Sequence, residues 1–245
     1  LQYCSANSCK IPRTIEFSCC TNEKRNVMNK KTLAHIFSWL FLPLLMPFYG
    51  LYLSLYIPSE ELSLSGQGMY QIPLDLKGQL LIIFFLFSAL APGISFYLLH
   101  KRKIISTIDI EDSKERNFPL LIMFAYCMVL FTLFIFKAPN NILPKYFYAL
   151  PLSGAIVTLL FMIINRWIKI SLHGGGAGIL VGYLSVFMLE NSGFPILFFT
   201  IAIIATGLCL SSRLFLQRHT PLEVYSGWSL ALIITFICCS YYPIN

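Results

Sequence analysis

Residues 146–164 read YFYALPLSGAIVTLLFMII, nineteen residues without a charge. Residues 174–190 read GGGAGILVGYLSVFMLE, apolar as far as Glu190. Between them lies a short polar stretch, Asn165 to His173, carrying Arg166 and Lys169. A helix needs roughly 20 apolar residues to cross the hydrocarbon core of a bilayer. Two such runs with so short a joint read as two neighbouring membrane spans.

The same pattern extends in both directions. Apolar runs cover about 33–57, 79–99, 119–136, 195–211 and 221–242. Pro43 and Pro47 lie inside the first run and predict a kink there. Loops after the third, fifth and sixth runs are short, which predicts antiparallel neighbouring helices. The expected fold is all-α: a polytopic transmembrane helix bundle of about six to seven spans, forming one integral membrane domain over 28–245. Residues 1–27 hold Cys4, Cys9, Cys19 and Cys20 in a polar stretch ahead of Met28. Their spacing matches no CxxC zinc pattern. The stretch is set aside as an N-terminal extension, poorly ordered or a mis-read start. Cys127, Cys209, Cys238 and Cys239 sit in apolar runs and read as packing residues.

Composition agrees. Of 245 residues, 57% are hydrophobic and 12% charged, about half the ~25% charged of a soluble domain. Mean hydropathy is +0.71. This excludes a disordered chain, a coiled coil and an ordinary soluble domain. The net charge of +7 resides in loops between apolar runs, with no aromatic-basic interleaving. Topology and anionic lipid or phosphate groups account for it, and nucleic acid is not an expected partner.

Threading seven spans puts the Met28 end and loops 100–118, 165–173 and 212–220 on one side. That side carries eleven Lys or Arg; the other carries Lys77, Lys137 and Lys145. The positive-inside rule assigns the first side to the cytoplasm. Bases that form a phosphate site would not count as topology signals. Compactness and short loops suggest a bacterial inner-membrane protein.

Two loops on the basic side carry the chemistry. One runs Asn165-Arg166-Trp167-Ile168-Lys169-Ile170-Ser171-Leu172-His173 into Gly174. The other runs Ser212-Arg213-Leu214-Phe215-Leu216-Gln217-Arg218-His219-Thr220-Pro221-Leu222-Glu223. Each places a histidine where a helix starts, beside Arg or Lys. Phosphoryl transfer through histidine needs such a set. One imidazole attacks phosphorus, another protonates the leaving oxygen, and fixed cations hold the anionic oxygens. Helix N-termini add partial positive charge and N–H groups.

The spacing resembles the type 2 phosphatidic acid phosphatase superfamily, membrane lipid phosphatases related to vanadium haloperoxidases. Its third motif is Ser-Arg, five residues, His, three residues, Asp. Ser212-Arg213, His219 and Glu223 reproduce it with Glu for Asp. Its second motif is Pro-Ser-Gly-His; Ile170-Ser171-Leu172-His173 keeps the Ser and His. The first motif, Lys, six residues, Arg-Pro, is not intact. Arg166 and Lys169 are the substitutes nearest the second motif, and Lys114 and Arg116, ahead of Pro119, are the other option.

The resemblance implies a phosphatase core with His219 as nucleophile and Glu223 orienting it. His173 would be general acid and later base. Arg213 and Ser171 would bind phosphate oxygens, with Lys169 and Arg166 replacing the first-motif cations. It implies no metal and no cofactor. The partners would be a lipid phosphate substrate, either phosphatidate-like or a polyprenyl diphosphate, and the bilayer. It would often place the site on the outer face, against the charge count.

Structural readings stand beside these. Thr220-Pro221-Leu222-Glu223 is a capping box, which by itself justifies the glutamate. Gly174 to Gly178 lacks a Gly-Lys-Ser/Thr ending and reads as a close helix-packing patch. Arg166 and Lys169 around Trp167 suit interfacial anchoring. His35 and His100 read as interfacial. A catalytically inactive phosphate-lipid binder or scaffold of the same fold is the alternative to an enzyme. A transporter ranks last, because the spans are nearly free of ionisable residues in their middles.

Overall fold

A computed structural model of the chain describes residues 28–62, 68–107, 115–137 and 143–242. The extension 1–27 and Lys114 lie outside the described residues. The order is α1 (28–40), α2 (Met46–Tyr56), β1 (Glu60–Glu61), a 3-10 turn (Met69–Gln71), α3 (Leu74–Phe85), a π-turn (Leu86–Leu90), α4 (Ala91–Lys101), α5 (Asn117–Lys137), α6 (Lys145–Ile164), α7 (Leu172–Glu190), β2 (Asn191–Ser192), α8 (Ile196–Phe215) and α9 (Pro221–Tyr241). Among the described residues six helices are long and apolar enough to cross a membrane, α3 to α4 counting as one of 28 residues. The protein is an integral membrane, all-α bundle.

Helical spans form because every backbone polar group must be satisfied internally where water is absent. The helix ends fall where sequence can cap them. Ser171 caps α7, its Oγ accepting from the Gly174 N–H at 3.3 Å. Thr220 caps α9 with Pro221 in the first turn. Pro92 has no N–H to offer the carbonyl four residues back, and the adjoining π-turn takes up the mismatch within the span. Outward faces are lipid-like: Ile196, Leu197, Ile201 and Ile204 of α8 are exposed. The centre is α7, buried along almost its whole length.

The expected first span is broken, not merely kinked. Helix stops at residue 40 and resumes at Met46. The residue before a proline is pushed out of the helical region, and proline removes a donor; the helix breaks over 41–45 around Pro43, and Pro47 falls in the first turn of α2, where a missing N–H is tolerated. The segment still follows α7 from end to end. Ser38 lies against His173, Pro43 against Gly176, and Gly50 against Leu180 and Tyr183. Ser54 Oγ is 2.9 Å from Tyr183 Oη, and Glu60 pairs with Ser192 in the short antiparallel β1–β2 ladder.

Sequence neighbours do not all pair. α5 lies on α6 and α7 on α8, but α9 lies on α7 and α6 instead of on α8. α7 and α9 run in parallel at a constant register. A Cβ at Gly174 would fall 2.6 Å from the Val224 carbonyl, one at Gly178 2.3 Å from the Trp228 carbonyl, and one at Gly182 2.7 Å from the Leu232 carbonyl. Glycine at every fourth position makes the groove that lets the two backbones touch. The glycine-rich stretch is therefore a helix-packing surface, as the sequence reading expects.

Candidate active site

The parallel register brings the starts of α7 and α9 together, and with them both histidine loops. The Ser171 N–H donates to the Glu223 carbonyl at 3.0 Å. A Cβ at Gly227 would meet the Ser171 carbonyl at 2.8 Å, so this approach needs glycine.

His219 is almost wholly buried by its side chain, and its Nδ1 is 2.8 Å from Glu223 Oε2. The same Oε2 accepts the Thr220 N–H at 3.3 Å, while the Glu223 N–H donates to Thr220 Oγ1 at 3.4 Å. The capping role and the orienting role thus coexist in one carboxylate. Pro221 starts the helix after His219, and the longer Glu side chain reaches back across that boundary. A carboxylate on Nδ1 fixes the proton there and leaves the Nε2 lone pair to react. Burial pulls the His219 pKa down to about 4. The Glu223 contact opposes this, and the positive charges of Arg116, Arg213 and Lys169 add to it. The imidazole is neutral at pH 7, the form a nucleophile requires.

His173 is buried in the first turn of α7. Its Nε2 lies 3.3 Å from the Ser38 carbonyl and 3.5 Å from Ser38 Oγ. A carbonyl only accepts, so Nε2 carries a proton in this arrangement. Ser38 Oγ also accepts from Arg213 Nη1 at 3.0 Å. Arg213, 3% exposed, ends α8 one turn above Cys209, whose Sγ is 3.7 Å from the Phe41 carbonyl.

The other sequence-predicted residues divide. Ser171 is fully buried and serves α7 as its cap. Lys169 is half-buried and close enough for its charge to act on His219. Arg166 is exposed on the turn after α6 and makes no hydrogen bond or ion pair with either histidine among the described residues. Arg116, just ahead of α5, is 2% exposed and donates through Nη1 to the Ile170 carbonyl. With Arg213 it is one of two buried cations of this site, and its charge also reaches His219.

Sequence reading missed Ser38 altogether. A serine in an apolar stretch carries no signal unless its neighbours in space are known. His35 is exposed on α1, and His100 Nδ1 is 3.3 Å from the Ile105 carbonyl in its own loop. Among the described residues no three His, Cys, Asp or Glu side chains cluster.

The arrangement can hold an anion and transfer a group to nitrogen. The charges of two buried guanidinium groups and a half-buried lysine act on a neutral, oriented imidazole where the first turns of α7 and α9 meet, and the second imidazole lies in the first turn of α7. Compared with protein-family models, curated proteins and solved structures, the chain matches none.

Proposed function

We propose that the protein is a metal-independent lipid phosphatase of the type 2 phosphatidic acid phosphatase kind. It would hydrolyse a phosphomonoester or diphosphate of a phosphatidate-like lipid or a polyprenyl carrier, in a bacterial inner membrane. The observation that carries the reading is the 2.8 Å contact between His219 Nδ1 and Glu223 Oε2, set beside buried Arg213 and Arg116.

His219 Nε2 attacks phosphorus. The bond from phosphorus to the leaving oxygen breaks, and His173, protonated to imidazolium beside the anionic phosphate, gives that oxygen its Nε2 proton and becomes neutral. Arg213, Arg116 and Lys169 balance charge on the phosphoryl oxygens. Water then attacks the phosphohistidine and yields its proton to His173. The P–N bond breaks and phosphate leaves. Ser38 sits with its carbonyl where the leaving oxygen would meet His173, and with its hydroxyl where a phosphoryl oxygen would meet Arg213. Substrate entry therefore displaces the end of α1.

The test is phosphate release from a panel of lipid phosphates in detergent, with EDTA present and His219→Ala alongside. Release by the parent and none by the variant is expected. Lipid phosphate binding without release by folded parent protein would support the inactive-binder reading instead. That reading draws on the contacts by which Ser38 closes the site.

A further inference from the structure

Helix α1 is held to the bundle by little. Of residues 28–40 only Ala34 and Ser38 are buried, one turn apart on a single face. Leu33, Ile36, Trp39 and Leu40 are each more than half exposed. Beyond the break α2 is different: Met46, Gly50, Leu51, Ser54 and Leu55 are all buried. The non-helical stretch 41–45 thus joins a thinly docked helix to a fixed one. Segments with few buried contacts are the first to open.

What holds α1 is its C-terminal end. The last carbonyls of a helix have no partner within it and carry partial negative charge. Here the bundle supplies the partners. The Ser38 carbonyl accepts from His173 Nε2 at 3.3 Å, the Leu40 carbonyl from the Tyr49 hydroxyl at 2.9 Å, and the Phe41 carbonyl from the Cys209 thiol at 3.7 Å. The Ser38 hydroxyl accepts from Arg213 Nη1 at 3.0 Å. A negatively polarised helix end therefore rests on His173 and Arg213, two buried groups that the candidate site offers to an anion. Yet residues 28–40 contain no Asp or Glu, so α1 brings only neutral oxygens. Hydrogen bonds to a charged oxygen are roughly twice as strong as those to a neutral one. A phosphate group can displace this end.

We propose that α1 is an autoinhibitory strap: its end occupies the anion site and turns out at 41–45 when a phosphate group takes its place on His173 and Arg213. The inference rests on the phosphatase reading for the phosphate but not for its turnover. The outward face of α1 keeps its surroundings in both states. Opening chiefly breaks the contacts of Ala34, Ser38, Leu40 and Phe41. The apparent affinity for phosphate falls in proportion to the fraction of molecules that are closed. Loosening α1 therefore tightens phosphate binding, and tethering α1 weakens it.

The experiment uses the full chain in nanodiscs and measures equilibrium binding of inorganic phosphate. Ala34→Phe crowds the buried face of α1 one turn before Ser38. It should bind phosphate roughly tenfold tighter, the gain expected where about nine-tenths of the wild type is closed. Phe41→Cys, oxidised onto Cys209 and verified by peptide mass, ties the strap shut. Phosphate binding should weaken by about tenfold or more, and reduction should restore it in the same folded molecules. The wild type needs no substitution: Cys209 is fully buried against Phe41, and phosphate should speed its alkylation by N-ethylmaleimide. Unchanged phosphate affinity in Ala34→Phe and on oxidation of Phe41→Cys, with Cys209 alkylation indifferent to phosphate, would overturn the proposal even if lipid phosphates are hydrolysed. Strap-dependent phosphate binding without release from any lipid phosphate would sustain the strap and sink the phosphatase reading.

Discussion

The Ser171 N–H donates to the Glu223 carbonyl across 3.0 Å, tying the residue two ahead of His173 to the residue that holds His219. The link depends on α7 and α9 lying in backbone contact. Gly178→Leu should therefore disturb the site from a helical turn away. Its Cβ would fall 2.3 Å from the Trp228 carbonyl and 2.8 Å from the Leu232 nitrogen. Overpacking of this kind costs about 1–3 kcal/mol or more. A lower Tm in detergent with loss of phosphate release is expected. Gly207→Ala, with open space at its Cβ, should leave Tm unchanged or raised.

Glu223 has two roles that substitution can separate. Glu223→Gln keeps a side chain able to accept from the Thr220 N–H but loses the carboxylate on His219. Tm should hold while kcat falls by about 10²-fold or more, in the range of general acid-base contributions. Glu223→Ala should lower kcat and also cost about 1 kcal/mol of stability, as lost caps do. Equal kcat for Gln and Glu would leave the capping role alone.

The His219 pKa gives a pH signature. The folded value is about 4, below the ~6.5 of an unfolded histidine. Between those values the unfolded chain binds the extra proton. This contribution to stability is full above pH 6.5 and is lost as pH falls towards 4. Thermal unfolding from pH 7 to 4 should show the wild type losing Tm faster than His219→Gln. The acid limb of kcat/KM should fall below the ordinary histidine range.

Ser38→Ala should act in opposite directions on stability and affinity. The hydroxyl is a buried partner of Arg213 at 3.0 Å, and losing such a bond costs about 1–3 kcal/mol. Tm should drop. Inorganic phosphate no longer competes with that hydroxyl, so its inhibition constant should tighten by about two- to twelvefold, from a net bond worth ~0.5–1.5 kcal/mol. A weaker phosphate inhibition would remove Ser38 from the phosphate site.

The two candidate substitutes for the first-motif cation predict different outcomes. Arg116→Ala removes a buried guanidinium bonded to the Ile170 carbonyl. It should reduce phosphate release by roughly 10²-fold or more, as losing one oxyanion donor does. Arg166→Ala, on an exposed turn, should change it by less than about threefold, since exposed charges contribute ~0–1 kcal/mol. Phosphate release by the two variants, each checked for folding, decides between them.

Local interactions are written in consecutive residues, and long-range ones are not. The uncharged run 146–164 and the Thr-Pro-Leu-Glu start of α9 fix spans and a cap, because hydropathy and capping are local properties of consecutive residues. The glycines of α7 announced close packing, but not that the partner would be α9 at a register of Val224, Trp228 and Leu232. That choice belongs to side-chain packing between segments some fifty residues apart. For the same reason Arg116 and Ser38 enter the site while Arg166 stays on the surface. A charge or hydroxyl joins a site through its place in space, and the sequence holds no measure of that. Arg116 and Arg213 are buried at the site, so they leave the count of solvent-facing bases that set membrane orientation. The sequence by itself determined a membrane-spanning helical chain with its histidines at helix starts. The contact of α7 with α9, and the broken segment 38–60 laid along α7, decided that those histidines share one site, with Ser38 between His173 and Arg213.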